Sequence, residues 1–321
     1  MQENRVMRCY TTSVDLLAGL FTLLADTHRI ISPTRGDDGV VRLKDIRDPA
    51  SIRAGAQPFL SLKRFLFPHR ERLWQLPGDH ESPQDPKRPL AFLGVPPCDA
   101  HALTFLDRVY GDDPSYQRRR QNLILVAATC SPQETCRCLV PDNFACDLFI
   151  GGESLYVTSE RGAELAAQLP HLQPVTEPLP ASNLLPPRMQ LPADIAQRFA
   201  ALDDDPLWLK PSLTCLACGA CSAVCPTCYC YDLRDQATPD GSSSRERRWD
   251  NCLFSDFALV AGGHDFRPGL GARLKFRMRH KLLGFGELTG VVSCVGCGRC
   301  AQRCPADIGP GELIERLKQE P

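Results

Sequence analysis

The 321-residue chain contains no run near the roughly 18 uninterrupted apolar residues of a membrane-spanning helix. It has no G-x-G-x-x-G and no P-loop, so nothing in it supports a flavin or nucleotide site. Its formal net charge of −1 removes any global electrostatic reason to expect nucleic acid or an anionic membrane as partner. None of its seven histidines sits in a nucleophile or zinc-protease pattern, and no residue stands out as acid, base or nucleophile. No catalytic residue is therefore expected. The N-terminus predicts no export leader either. Val14 to Ala25 is apolar, but Asp15 interrupts it, and Leu16, Leu17, Leu20, Phe21, Leu23 and Leu24 recur with helical period. A cytoplasmic protein is the expectation.

What the chain has in excess is cysteine: seventeen residues, an odd number, many of them spaced two apart. In a cytoplasmic protein that pattern points to metal rather than disulfides. One run is Cys215-Leu-Ala-Cys218-Gly-Ala-Cys221-Ser-Ala-Val-Cys225-Pro226 and the other is Cys294-Val-Gly-Cys297-Gly-Arg-Cys300-Ala-Gln-Arg-Cys304-Pro305. Both are C-x2-C-x2-C-x3-C-P, the bacterial ferredoxin spacing for [4Fe–4S] cubanes. The loop wraps three corners of one cube, and the fourth cysteine is carried to the other cube. This assigns Cys215, Cys218, Cys221 and Cys304 to one cluster and Cys294, Cys297, Cys300 and Cys225 to a second. Zinc ribbons instead use two C-x2-C pairs some 15–20 residues apart, without the following proline.

The rest of the chain frames this pair. A helix is expected over about Ser13 to Thr27, then strands around Arg29–Ser32 and Val40–Leu43. In the basic-aromatic segment Leu60–Trp74, the Lys and Arg stems are expected to snorkel to water. The polar tract Gly78–Arg88 reads as loop. Leu90–Val95 is a buried strand, Asp99 has the look of an N-cap, and Ala102, Leu103, Leu106 and Tyr110 mark one face of the helix that follows. After a polar crossover through Arg118–Arg120, Asn122–Ala128 is a second buried strand, parallel to the first. A hairpin follows at Asp147–Ile150 and Leu155–Thr158, then a helix over about Ser159 to Gln168. The proline-rich stretch beyond it reads as a semi-rigid linker, closed by a helix at about Ala193–Leu202. The expected architecture is an α/β domain with a parallel βαβ unit (1–169), a linker and helix (170–205), and an α-helical two-cluster ferredoxin-like domain (206–321) with a long insertion (226–293).

The βαβ unit brings Cys98 and Cys130 to the carboxyl edge of its sheet, where ligands bind in open parallel sheets. Cys136 and Cys138 lie on the loop just beyond. Geometry alone leaves three readings open for this set: a third iron–sulfur centre, zinc, or scattered core thiols. Cys228, Cys230 and Cys252 fall one short of a cubane, unless a histidine or a partner's residue supplies the fourth ligand. Otherwise they are small buried residues packed beside a cluster. Cys9 and Cys146 are expected to be structural. The basic stretch Arg267, Arg273, Lys275, Arg277, Arg279, His280 and Lys281 is a solvated face, a docking surface for an acidic partner, or a set of cations that raises cluster potentials.

These motifs resemble a known family, the iron–sulfur beta subunit of cytoplasmic sulfhydrogenases, which are NAD(P)-linked nickel–iron hydrogenases. The electron-transfer subunit of anaerobic sulfite reductase is similar. The resemblance runs from about Pro58 to Ile308. It is carried by Gly94-Val-Pro-Pro-Cys-Asp99 with Leu106-Asp107, by Cys130 with Cys136-Arg-Cys138, and by Cys215 through Asp232. Arg245-Glu-Arg-Arg-Trp-Asp-Asn-Cys252, Ala261-Gly-Gly-His-Asp-Phe-Arg-Pro268 and Cys294 through Cys300 complete it. It implies an electron-transfer subunit in a hetero-oligomer. A flavoprotein gamma subunit would exchange electrons with NAD(P)H, and this chain would carry them to or from the hydrogenase small and large subunits. It also implies a third [4Fe–4S] cluster, because Cys98, Cys130, Cys136 and Cys138 fall where the family has cysteine. The alternatives are the same relay in a sirohaem sulfite reductase and a non-redox scaffold holding structural zinc. Arg137 stands where the family usually has an aromatic residue, and the chain is somewhat shorter, mainly before the first run.

Overall fold

The computed structural model describes residues 8–78, 85–141, 145–178, 181–185, 189–203 and 205–319. In chain order the first half comprises β1 (Arg8–Thr11), α1 (Leu16–Leu24), β2 (Arg29–Arg35), β3 (Val41–Asp45), α2 (Lys63–Leu66), β4 (Arg70–Leu76), β5 (Leu90–Val95) and α3 (Pro97–Val109). Next come α4 (Pro114–Gln121), β6 (Ile124–Ala128), β7 (Leu148–Gly151), β8 (Ser154–Val157), α5 (Glu160–Ala166), β9 (Gln173–Pro174), α6 (Ala181–Leu184) and α7 (Ile195–Ala201). The last third holds α8 (Leu209–Thr214), α9 (Ala220–Ala223), β10 (Tyr231–Ala237), β11 (Ser243–Trp249), α10 (Leu270–Leu283), α11 (Arg299–Gln302) and α12 (Gly311–Lys318).

An eight-stranded mixed sheet of order β3-β2-β5-β6-β7-β8-β1-β9 organises the first half. Its centre, β2, β5, β6 and β7, is parallel, as the βαβ pattern predicts. β5 and β6 are buried at every residue because neither carries a charged side chain. Alternate residues feed two cores, one per face: Leu90, Phe92 and Leu125 on one side, Ala91, Leu93 and Val126 on the other. α1 covers the second face with Leu16, Leu20 and Leu24, and Asp15 is its N-cap, accepting from the amides of Leu17 and Ala18. The residue that breaks the apolar run thus starts the helix.

Three local expectations are corrected. Asp99 does not cap α3. The helix begins at Pro97 after Pro96, and Asp99 lies inside its first turn, fully buried and ion-paired to Arg299. The crossover through Arg118–Arg120 is helical, capped by Asp113, because Arg119 turns inward to Glu71 instead of to water. Lys63 does not snorkel: it is 2% exposed and points into the last third of the chain. The predicted loop Gly78–Arg88 lies largely outside the described residues, as does part of the proline-rich stretch.

The last third is not purely helical. Insertion 226–293 contributes the hairpin β10–β11, and β11 pairs antiparallel with β4 to complete a three-stranded sheet. Glu71 fixes that register. Its carboxylate, fully buried, is shared by Arg247 on β11 and Arg119 on α4, while Arg247 also reaches Asp113. Among the described residues no helix is long and apolar enough to cross a membrane.

Candidate iron–sulfur centres

The two cysteine runs fold as near copies. α9 and α11 pack against each other, and each begins at a glycine in the left-handed region, Gly219 at φ 79° and Gly298 at φ 72°. Two residues earlier the backbone is left-handed again, at Ala217 (φ 50°) and Gly296 (φ 66°). These turns aim matching amides at sulfur: Ala217 N–H donates to Cys215 Sγ and Gly296 N–H to Cys294 Sγ, each at 3.4 Å. Amides turned on cysteine sulfur favour the thiolate, the form that binds iron.

In the second copy, Cys294, Cys297 and Cys300 act on one another electrostatically, and Cys294 and Cys225 both face Lys281. In the first, Cys215 and Cys221 pack against a small core of Cys252, Leu253 and Leu274. Cys218 is the exposed cysteine of the seventeen. Cys300 also senses Cys221, so the two copies adjoin. Cys304 leaves the end of α11 and is half-buried, its amide bonded to the Ala301 carbonyl. Cys228 stands against Cys225, and that contact together with Lys281, Arg277 and Lys63 pulls its thiol well below the ordinary range. Burial raises Cys230 to about 12 and also raises Cys252.

The four N-terminal thiols do converge. Cys98, Cys130, Cys136 and Cys138 line one small, mostly apolar pocket with Pro97 and Val140, and Cys297 of the second run closes it with Val295. Burial raises Cys130 to about 11. Cys98 and Cys297 share a hydrogen bond that lifts the first and lowers the second to about 5, with Arg299 favouring the charge. The loop carrying Cys136 and Cys138 is stitched to the second run by Arg137 N–H to Gly296 C=O (2.7 Å) and Leu139 N–H to Val295 C=O (3.2 Å). A Cβ at Gly296 would strike the Arg137 carbonyl, so glycine is required there for approach as well as for φ. Arg299, 1% exposed, locks the junction: Nε donates to Pro58 C=O at 2.9 Å, Nη2 to Asp99 Oδ2 at 2.8 Å, and Nη1 lies 3.8 Å from Cys98 Sγ. The Arg137 side chain points away from the pocket, donating to the carbonyls of Glu134 and Cys136 and facing Glu315.

The basic stretch divides. Lys275 pairs with Asp203 at the surface and Arg279 is exposed, whereas Arg273, Arg277, His280 and Lys281 are buried. Arg277 and Lys281 meet Lys63 in one interior nest. Arg277 donates to Ser222 Oγ, Cys221 C=O and Cys228 Sγ, and Lys281 to Thr227 O and Oγ1. Lys63 donates to Cys228 C=O at 3.0 Å and Ser222 C=O at 3.4 Å. Among the described residues no carboxylate pairs with any of the three. The groups that face them are cysteines, Cys228 and Cys225 above all, and of these Cys228 is the one whose thiol is pulled below the ordinary range. Burial opposes the charge on Lys281, yet Cys225 and Cys228 hold its pKa above the ordinary value.

Three interior cations with no carboxylate would cost several kcal/mol each. A thiolate-bound iron–sulfur cluster carries the negative charge that such a nest lacks, so these residues fit that group. Among the described residues no three His, Cys, Asp or Glu side chains are drawn together closely enough to grip a metal ion, the cysteine runs included. Sequence reasoning missed Lys63, Asp99 and Arg299 as parts of the site, because their roles depend on segments far apart in the chain.

Residues 214–308 match the 4Fe-4S dicluster domain family. The chain is 29% identical over 323 aligned positions to sulfhydrogenase 2 subunit beta of Pyrococcus furiosus, covering 93% of this chain and 95% of that relative. No solved structure matches. The resemblance read from the cysteine motifs is borne out: over nearly its whole length the chain is similar to a sulfhydrogenase beta subunit, and its last third matches the 4Fe-4S dicluster domain family.

Proposed function

We propose that this chain relays single electrons through [4Fe–4S] clusters in a soluble, cytoplasmic nickel–iron hydrogenase. The relay runs between a flavoprotein subunit that exchanges electrons with NAD(P)H and the hydrogenase small and large subunits. The observation that carries the reading is the interior nest of Lys63, Arg277 and Lys281, buried against the duplicated cysteine loops with cysteine residues around it and no carboxylate paired to it among the described residues. Cys215, Cys218, Cys221 and Cys304 would hold one cluster, and Cys294, Cys297, Cys300 and Cys225 a second. Cys98, Cys130, Cys136 and Cys138 would hold a third. When bound, such clusters supply one-electron transfer, at potentials set by hydrogen bonds, charge and burial. The chain's own residues orient amides on the sulfurs, exclude water and balance charge. Cys297 lies against both Cys98 and the Cys136 thiol, which supports an order in which the N-terminal centre exchanges with the second run before the first.

Anaerobic purification from the native host tests this. About twelve irons with matching sulfide, and a co-purifying nickel–iron subunit, are expected. A co-purifying sirohaem subunit would instead make it the relay of a sulfite reductase. Zinc without acid-labile sulfide would make it a scaffold. The purified chain alone is expected to turn over no NAD(P)H, and steady oxidation without a flavoprotein would contradict the proposal.

A further inference from the structure

Lys63 comes from the first half of the chain but ends in the last third. Its Nζ donates to the carbonyls of Cys228 and Ser222, the two residues that bracket Cys225, and lies 4.0 Å from the centre of the Trp249 ring. At 2% exposure this charge has lost its water, and burial pulls its pKa down to about 8. A leucine or methionine would fill the same volume without that penalty. What the ammonium offers in return is a positive charge held beside Cys225, Cys228 and Cys230.

We infer that Lys63 is a positioning residue that sets the reduction potential of the centre holding Cys225. The inference rests on the electron-relay reading. A fixed positive charge near a centre favours whichever state is more negative, and reduction adds one electron. Lys63 therefore raises the potential of that centre, and does so only when the two halves of the chain are docked. Arg277 and Lys281 act from α10, inside the last third itself. Lys63 is the member of the nest that makes the potential depend on the first half.

The test uses the full chain, prepared anaerobically, with potentiometric titration followed by low-temperature electron paramagnetic resonance. Lys63→Met is expected to retain iron and sulfide. The cluster of Cys225, Cys294, Cys297 and Cys300 should titrate at a more negative potential, with the reduced-to-oxidised ratio at fixed poise falling roughly tenfold, or ~59 mV for one electron. Lys63→Arg should stay near wild type. A Lys63→Met protein with full iron and unshifted potentials would overturn the inference. If the Met variant loses iron, the Arg variant decides: retention by Arg supports a charge-balancing role, and equal loss in both shows that Lys63 acts by shape and overturns it. Wild-type protein with no signal from reduced cubanes would sink the relay reading itself, a separate failure.

Discussion

The Arg299–Asp99 pair joins the N-terminal pocket to the second cysteine run, and replacing Arg299 by methionine tests how much that junction holds. Arg299 is 1% exposed and Asp99 fully buried, and Asp99 Oδ1 already lacks a hydrogen-bond partner. Removing the guanidinium leaves the carboxylate with no cation and orphans the Pro58 carbonyl that accepts from Nε. Breaking a buried pair from one side costs about 3–5 kcal/mol, a large share of the roughly 5–15 kcal/mol that holds a domain folded. The double variant Arg299→Met, Asp99→Leu, which removes both charges, is expected to recover most of that loss. Burial raises the Asp99 carboxyl to about 6 even with Arg299 opposing it. Without Arg299 the carboxyl takes up its proton at a higher pH still, so the gap between wild type and Arg299→Met should narrow as pH falls toward about 6 and level off below it, where both are neutral. Urea unfolding of the anaerobic protein, followed by circular dichroism and cluster absorbance, measures all three quantities. A single variant costing under about 1 kcal/mol, or a double variant no better than the single, would refute the claim that this pair is a structural lock.

Three further outcomes are expected. Cys136→Ser should lower the iron content from about twelve to about eight per chain, and an unchanged count would remove Cys136 from the N-terminal centre. Gly296→Ala should destabilise by more than the ~1 kcal/mol of a left-handed residue, because the methyl also meets the Arg137 carbonyl, whereas Ala217→Gly should be neutral or stabilising; paired urea midpoints decide. His280 bonds Tyr229 Oη at 2.9 Å and is held down to about 4, by burial first and Lys281 second. A depressed histidine contributes stability above its unfolded pKa of about 6.5 and loses it as pH falls toward the folded value, so this group should account for about 2 kcal/mol of loss between pH 7 and pH 5. His280→Gln should flatten the slope.

The parts of this fold legible in the sequence are those whose signal is local. β5, α3 and β6 declare themselves by apolar runs and helical period, and the parallel pairing follows from their spacing. The convergence of Cys98, Cys130, Cys136 and Cys138 was legible for the same reason. The β10–β11 hairpin was not. Tyr231–Ala237 and Ser243–Trp249 alternate charged residues with little apolar content, and β11 is held by Glu71, far earlier in the chain, rather than by a greasy face. Lys63 was illegible in another way. A lysine among aromatics normally covers them and reaches water, whereas this one turns inward to the Cys228 and Ser222 carbonyls and the Trp249 ring, all far along the chain. Likewise α10 reads as a polar segment until its buried Arg277 and Lys281 are seen to face sulfur.

The sheet shared by β4 and the insertion bears on how the protein is made. β4 leaves the ribosome long before β11 is synthesised, so the nascent first half waits with an unpaired strand edge, the kind of surface that recruits other chains. By the time β11 arrives to cover it, the whole first cysteine run has already emerged. Closure of that edge therefore falls after the N-terminal thiols and the first cysteine run have been made and before the second run has. A chain that stalls inside the insertion is left with exposed backbone and bare thiols together, and is a candidate for degradation before it meets any partner.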